Sequence, residues 1–532
     1  MKGLESEGVE WGAELRELRF QGAWRNSQWE CELAERSEKS IPGFHESIFC
    51  SLQALRDKEF SIFDETLKQA RCAEVEELCR DSLEAVSSLY PVLRNLQSIK
   101  ELESVKQLPF SDLALNDICR QWRQHSQLLA DSDFAVVEPI LAVRSVAQHA
   151  LLSKVGNSNS TESLSSALTD HLMELSRWAC TAGNTQLAER AVHQMKMQGG
   201  ARTSWQLEEA QVFWAKGEQG LALGLLRQMI HSLEEKVDLD PTVVPAYTES
   251  LRLCGNWLAE TCLESPGVIL EKYLERAVEL IEGECGGQDS LLQSQQTEAF
   301  LSLARFSDAQ YQSIDKYMNS SEFENKQALL EKAKEEMNLM RQRKVTSNRY
   351  TIKVQRELEL DEKALSNLRT DRQRFLCKAV ENYIRCLEQG EEHDTWVFRL
   401  ASLWLENADI KVVNDAMKKG VKQIPSYKFL PLMYQLAARM GTKMANGTSE
   451  DTGFHDVLHD LMCRASLEHP HHTLFIIFAL VNANKDENFG TARLSKSSPR
   501  QITPFDQAES DQSAVNWGLR NVVLDIIDPE KH

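Results

Sequence analysis

The sequence predicts an all-α fold: an α-solenoid of helical hairpins interrupted by one long, coiled-coil-like helical hairpin. Three observations predict it. The 532 residues include only 24 glycines and 13 prolines, too few for the closely spaced turns of a β-sandwich or barrel and suited to long helices. Two neighbouring stretches repeat one another at an offset of 34 residues. A further stretch, 320–375, is dense in charge and contains no Gly or Pro.

Composition narrows the function classes. The length exceeds what one hydrophobic core supports, so several domains or one repeat array are expected. A net charge of −20 with no basic arm argues against direct nucleic-acid binding, which relies on clustered Lys and Arg. The twelve cysteines run from Cys31 to Cys463 without a C-x-x-C pair, and the opening MKGLESEGVEWG is acidic and polar rather than a signal peptide. Both point to a reducing compartment with free thiols. The longest apolar run, 474–481, is far short of the roughly 20 residues needed to span a bilayer.

Along the chain, residues 1–153 read as helical repeats and 167–318 as tetratricopeptide-like repeats. The repeat signal is strongest here. Ser176 falls on Ala210, Ala179 on Phe213, Gly183 on Gly217, Leu187 on Leu221, Ala188 on Ala222, Val192 on Leu226 and Met195 on Met229. That is the tetratricopeptide pattern. Small residues let two antiparallel helices approach closely, and the glycine ends the first helix. One such pair cannot bury its apolar face alone, so neighbours must stack. Cys254–Trp257, Leu303–Ala304 and Leu400–Ala401 with Trp404 and Pro425 are weaker matches, readable as repeats or as ordinary amphipathic helices. Loops are expected at 154–166, 286–290 and 441–453.

Residues 319–376 form the charged hairpin. Leu330, Ala333, Met337 and Met340 make one apolar stripe, and Val354, Leu358, Leu365 and Leu368 make another. Two helices joined near 344–350 fit this pattern. They are either solvated helices packed on the solenoid or an arm that meets a partner or a second copy through these stripes. Residues 377–489 return to helical repeats, and 490–532 is Ser/Pro/Gln-rich and expected to be disordered.

The search for chemistry finds no phosphate-binding Gly-rich motif and no nucleophile elbow. Asn488-Phe489-Gly490 imitates a kinase Asp-Phe-Gly, but the Asn lacks the metal-binding carboxylate, and the tripeptide is expected to follow a helix. His455 and His459 have the i, i+4 spacing of a zincin helix, with Cys463 a turn further on. The simpler reading puts Phe454, Val457, Leu458, Leu461 and Met462 on the buried face of one helix. Pro470 then opens the next helix. The histidines become flank and capping residues, and no metal ligand is assigned.

Several stretches resemble one family together: RFLCKAVENYIRCLEQGEEHDTWVFRLASLWLEN, IPSYKFLPLMYQLAARMGTKM, EHPHHTLFIIFALVNANKDENF, SSEFENKQALLEKAKEE, RYTIKVQRELELDE and QLEEAQVFWAKGEQ. They resemble the FAT region of the ATM-type phosphatidylinositol-kinase-related kinases, over roughly 15–489. The resemblance implies a solenoid that clamps and positions a kinase domain and takes part in homodimerisation. The full-length family phosphorylates Ser/Thr-Gln sites in the DNA-damage response, in the nucleus, using ATP and a divalent metal. None of its catalytic or ATP-binding motifs has a counterpart here, so no catalytic residue and no cofactor is carried over to this chain. The sequence stops where that family leads on towards its kinase domain. The expected partners are that kinase domain, a second copy and other proteins, with neither nucleic acid nor membrane. A free-standing helical-repeat adaptor is the alternative, and a zinc hydrolase on His455 and His459 is the enzyme-class rival.

Overall fold

The computed structural model of the protein describes residues 13–30, 42–80, 86–106, 112–129, 132–152, 159–198, 202–237, 239–284, 290–342, 349–440 and 453–491, and these residues contain helices and no strand. The chain divides into two compact units, Met1–Met229 and Ile230–His532.

The first unit runs through α1 (Ala13–Arg25), α2 (Phe44–Asp57), α3 (Phe60–Arg80), α4 (Val86–Val105), α5 (Asp112–Leu128) and α6 (Phe134–Leu152). It continues through α7 (Asn159–Thr181), α8 (Thr185–Met197) and α9 (Arg202–Ala215), and the division falls inside α10 (Gln219–Val237). Neighbouring helices pack in series, α1 on α2, α2 on α3, α3 on α4, α6 on α7, α7 on α8 and α8 on α9, and α6 also packs on α4. Trp24, Ile48, Phe49, Leu52 and Phe63 anchor one apolar cluster, and Leu141, Leu168, Leu172, Ala179 and Ala188 a second. The loop expected at 154–166 is shorter than its composition suggests, because α7 already begins at Asn159. Asn and Ser there open a helix, as N-cap-favouring residues do.

The 34-residue repeat has a structural counterpart. Gly183 and Gly217 both adopt positive φ, 75° and 82°. Each closes its helix in the same way. The Asn184 N–H reaches the Ala179 carbonyl at 2.8 Å, and the Glu218 N–H reaches that of Phe213 at 2.9 Å, the long bond of a Schellman cap. A Cβ at either glycine would meet nothing within 4 Å, so glycine is set here by backbone conformation rather than by space. Asn184 then caps α8, its side chain accepting from the Leu187 N–H. Ser176, Ala188, Ala210 and Ala222 are completely shielded. The two copies part at two positions: Ala179 is buried and Phe213 half-buried, and Leu187 is half-buried and Leu221 exposed.

One helix of this unit, α6, is long and apolar enough by length and composition to cross a membrane, yet its residues serve as core. Arg144 within it is buried, donating to Glu101 at 3.0 Å and lying over the Trp122 ring. Glu101 also accepts from Gln97 and meets His125. A buried guanidinium is tolerable only when paired and hydrogen-bonded in this manner.

In the second unit α11 (Val244–Thr261) is followed by a π-helical turn, Ile269–Leu274, that leads into α12 (Glu275–Glu284). Then come α13 (Ser290–Met318), α14 (Ser321–Gln342), the 41-residue α15 (Arg349–Gln389), α16 (Trp396–Glu406) and α17 (Lys411–Gln423). A 3-10 turn, Ser426–Leu432, precedes α18 (Met433–Arg439), α19 (Phe454–Glu468) and α20 (Pro470–Thr491). The core forms where α13 lies along the second half of α15: Phe300, Leu303 and Ala304 are buried, as are Leu376, Val380 and Tyr383. The weaker repeat matches Cys254, Trp257, Leu400, Ala401 and Trp404 are buried as well. Gly420 lets α17 approach α15, since a Cβ there would sit 2.7 Å from Ile384.

Helix α19 ends at Glu468 and Pro470 begins α20, with Phe454, Val457, Leu458, Leu461 and Met462 on the buried side. Asn488-Phe489-Gly490 lies within α20 rather than after it. The loops expected at 286–290 and 441–453 fall outside the described residues except for Ser290, which opens α13, and Gly453; the tail expected from 490 does so except for Gly490 and Thr491, which end α20.

Candidate interaction arm

The charged hairpin begins at Ser320, whose hydroxyl accepts from the Phe323 N–H at 3.3 Å. Glu322 and Glu324 occupy the first turn of α14, where negative charge suits the helix dipole. Phe323 is buried edge-on against Tyr317, fixing the angle at which α14 leaves α13. The return helix α15 is 41 residues long, about 60 Å at the α-helical rise. Through residues 352–371 it shields only a narrow stripe, whereas Phe375, Leu376, Ala379 and Val380 are buried. Position 376, drawn from sequence as the end of the hairpin, lies inside this unbroken helix. The turn between α14 and α15, residues 343–348, lies outside the described residues.

The stripe residues sit where the two helices meet. Leu330 and Met337 are buried, and Ala333, Met340, Val354, Leu358, Leu365 and Leu368 are half-buried. Leu330 and Leu365 line one groove of about 550 Å³ between the helices. Lys334 spans it, 3.1 Å from Glu362 and 3.3 Å from Glu331, and hydrogen bonds to those two carboxylates hold its ammonium pKa above the usual value. Facing apolar stripes with a charged bridge beside them form the seam of a two-helix coil. What the hairpin offers to the outside is a different set: Leu329, Leu339, Ile352 and Leu360, all more than half exposed. These lie beside or opposite the stripe on each helix. Their signal was present in the sequence as apolar residues off the periodic positions.

The base of the arm is ionic. Arg372 donates to Asp315 at 2.8 Å and lies over the Tyr311 ring, whose hydroxyl reaches Asn407. Two turns earlier on α13, Arg399 grips Asp308 with two hydrogen bonds of 2.8 Å, while Tyr383 and Gln312 also donate to it. Burial alone would raise the Asp308 pKa, but the bonds from Arg399, Gln312 and Tyr383 together hold it below the ordinary carboxylate value. At the far end of α15, the buried Lys428 ammonium donates to the Leu387 carbonyl at 2.8 Å, capping the helix C-terminus with positive charge. Apart from Gln312, which sits one turn from Asp308 on the same helix, periodicity does not reveal these partners, because they come from elements far apart in sequence.

Elsewhere the histidines spread out. His455, His471 and His472 are exposed and His459 is half-buried, with the Cys463 sulfur 3.8 Å from its ring. Among the described residues no group of three or more His, Cys, Asp or Glu is arranged to hold a metal ion.

The family description "FAT domain" matches residues 16–402. The serine-protein kinase ATM of Sus scrofa is 54% identical over 535 residues, covering 98% of this chain and 17% of that protein. The serine/threonine-protein kinase ATM of Arabidopsis thaliana is 27% identical, covering 91% of this chain and 13% of that protein. The chain therefore spans less than a fifth of either relative. Among solved structures, the FAT and kinase domain of CtTel1 superposes with a TM-score of 0.71 at 21% identity, covering 96% of this chain and 33% of that one. The complete CtTel1 dimer with C2 symmetry gives 0.68 at 19%, covering 98% and 18%. At such identities the two superpositions establish the all-α solenoid fold.

Proposed function

Because the chain belongs to the FAT-domain family, we propose that it is the regulatory and structural FAT segment of an ATM-like serine/threonine protein kinase. It clamps and positions a kinase domain lying outside these residues and holds no ATP, metal or other cofactor itself. The observation that carries this reading is the FAT match over 16–402 together with 54% identity across nearly the whole chain. In this reading the full-length protein acts in the nucleus in the DNA-damage response, on Ser/Thr-Gln sites, and the solenoid is a protein-binding surface. Binding is tested by mixing the purified chain with a separately purified kinase domain of the Sus scrofa relative and following co-elution. Co-elution with unchanged or raised phosphorylation of a Ser-Gln peptide is expected. Failure to bind, or ATP turnover by the chain alone, would reject the clamp.

The arm is the part we assign to contact with a second copy. The outward Leu329, Leu339, Ile352 and Leu360 support this, since four exposed large aliphatics on one hairpin are costly to leave in water. The double change Ile352→Glu, Leu360→Glu should shift the full-length protein from dimer towards monomer in light scattering, without lowering its melting temperature. An unchanged dimer would leave the arm to other protein partners, as in the free-standing adaptor reading.

A further inference from the structure

Within the first unit a cavity of about 380 Å³ opens between α1, α6, α7 and α8. One part of its wall is apolar, from Val146, Ala150, Leu175, Leu187 and Ala191. Another is rich in donors. Arg25 and Glu138 line it as a closed pair, two hydrogen bonds of 2.5 and 2.9 Å neutralising both. Arg190 lines it with no ion-pair partner among the described residues: it is exposed, and the contact found for it is a long one, 3.4 Å to the amide oxygen of Asn26. Two further polar atoms on the wall are shielded from water and find no hydrogen-bond partner among the described residues, Ser145 Oγ and His149 Nε2. Ser145 is more than nine-tenths buried. A buried hydroxyl left unsatisfied costs free energy that a ligand would recover.

We infer that this cavity is a binding site for a monocarboxylate with a compact apolar body, the carboxylate resting on Arg190 and the body against the Val146, Leu175 and Ala191 wall. The charge count selects the head group. One uncompensated guanidinium in a chain of net charge −20 suits a single negative charge, and its planar fork matches a carboxylate in two-point contact. A phosphate dianion would find one cation where it needs two. The volume selects the size, since it lies at the small end of ligand cavities and accommodates an aromatic acid or the last residues of a peptide. Ser145 and His149 supply the remaining hydrogen bonds. Such a ligand comes from one of two sources, a free organic acid or the C-terminal carboxylate of a polypeptide.

The probes are benzoate, its uncharged analogue benzamide, the peptide acid acetyl-Gly-Phe, its C-terminal amide, and inorganic phosphate, titrated calorimetrically into the whole chain. Saturable binding of benzoate or of the peptide acid is expected, with neither amide binding. Arg190→Ala should weaken it about tenfold or more, and Arg190→Lys should weaken it less, since one point charge replaces a fork. Arg190 is exposed, so both variants should melt with the parent when no ligand is present. Leu187→Trp, which adds bulk to the cavity wall, should block binding as a second check. Tighter binding of the peptide acid than of benzoate assigns the polypeptide source, and the reverse assigns the free acid. No saturation up to about 10 mM, equal binding by Arg190→Ala, equal binding of the amides, or binding of phosphate in place of the carboxylates would each overturn the site.

Discussion

The repeat pair at 168–229 and the arm at 321–375 are both antiparallel helical hairpins, held by opposite means. In the repeats, alanines and a serine at the contact bring the helices close, and glycines in the left-handed region turn the chain between them. In the arm, Leu and Met side chains meet along a single seam, most of them half-exposed, and the base is fastened by Arg–Asp pairs on Asp308 and Asp315. The first kind of contact excludes water and leaves no tolerance for added volume. The second tolerates change along its length and answers to pH at its root. A stack built to hold a shape needs the first kind, and a hairpin whose outer faces stay free to meet another molecule can use the second.

The largest test strikes the close contact. Ala222→Arg forces a charge into a fully shielded helix interface and should cost about 3 kcal/mol or more. A melting temperature equal to that of the parent would refute the repeat packing. The corresponding truncation in the seam, Met337→Ala, should be milder, about 2 kcal/mol, the low end for a buried methionine, because most of the seam around it is only half-buried. Amide exchange should quicken within α14 and α15 while α7–α10 stay protected; equal loosening of both regions would erase the distinction.

Acid should separate the regions further. The folded Asp308 carboxyl titrates below its ordinary value of 3.8. Its stabilising contribution is therefore complete above that value and disappears as pH falls through the lower, folded-state value. Exchange at α13, α15 and α16 should then rise before exchange in the repeats, and Asp308→Asn should remove that difference. The smallest effect belongs to neither region. His459→Ala, on the flank of α19, should change stability by no more than about 0.5 kcal/mol, and a much larger loss would show that the imidazole holds more than its helix.

The repeat was legible because its parts are local. A small residue, an apolar residue three later, a glycine and an alanine specify a helix, its end and its contact face within one stretch of chain. The break at Pro470 was legible for the same reason. The arm's two helices and their stripes could also be read, but the role of the stripes could not. Periodicity marks which face of a helix is apolar without saying what covers it, and here the two stripes cover one another.

By itself the sequence determined the helical class, the 34-residue repeat, the apolar stripes of the charged helices and membership of the FAT family. Only the tertiary structure decided that the outward face of the arm is Leu329, Leu339, Ile352 and Leu360. It alone brought Arg399 to Asp308 and Lys428 to the end of α15, and gathered Arg190, Ser145 and His149 around one cavity. The physical reason is range. Helix propensity, capping and apolar period act over a few residues, whereas charge pairing and cavity shape depend on which distant helices the packed core brings side by side.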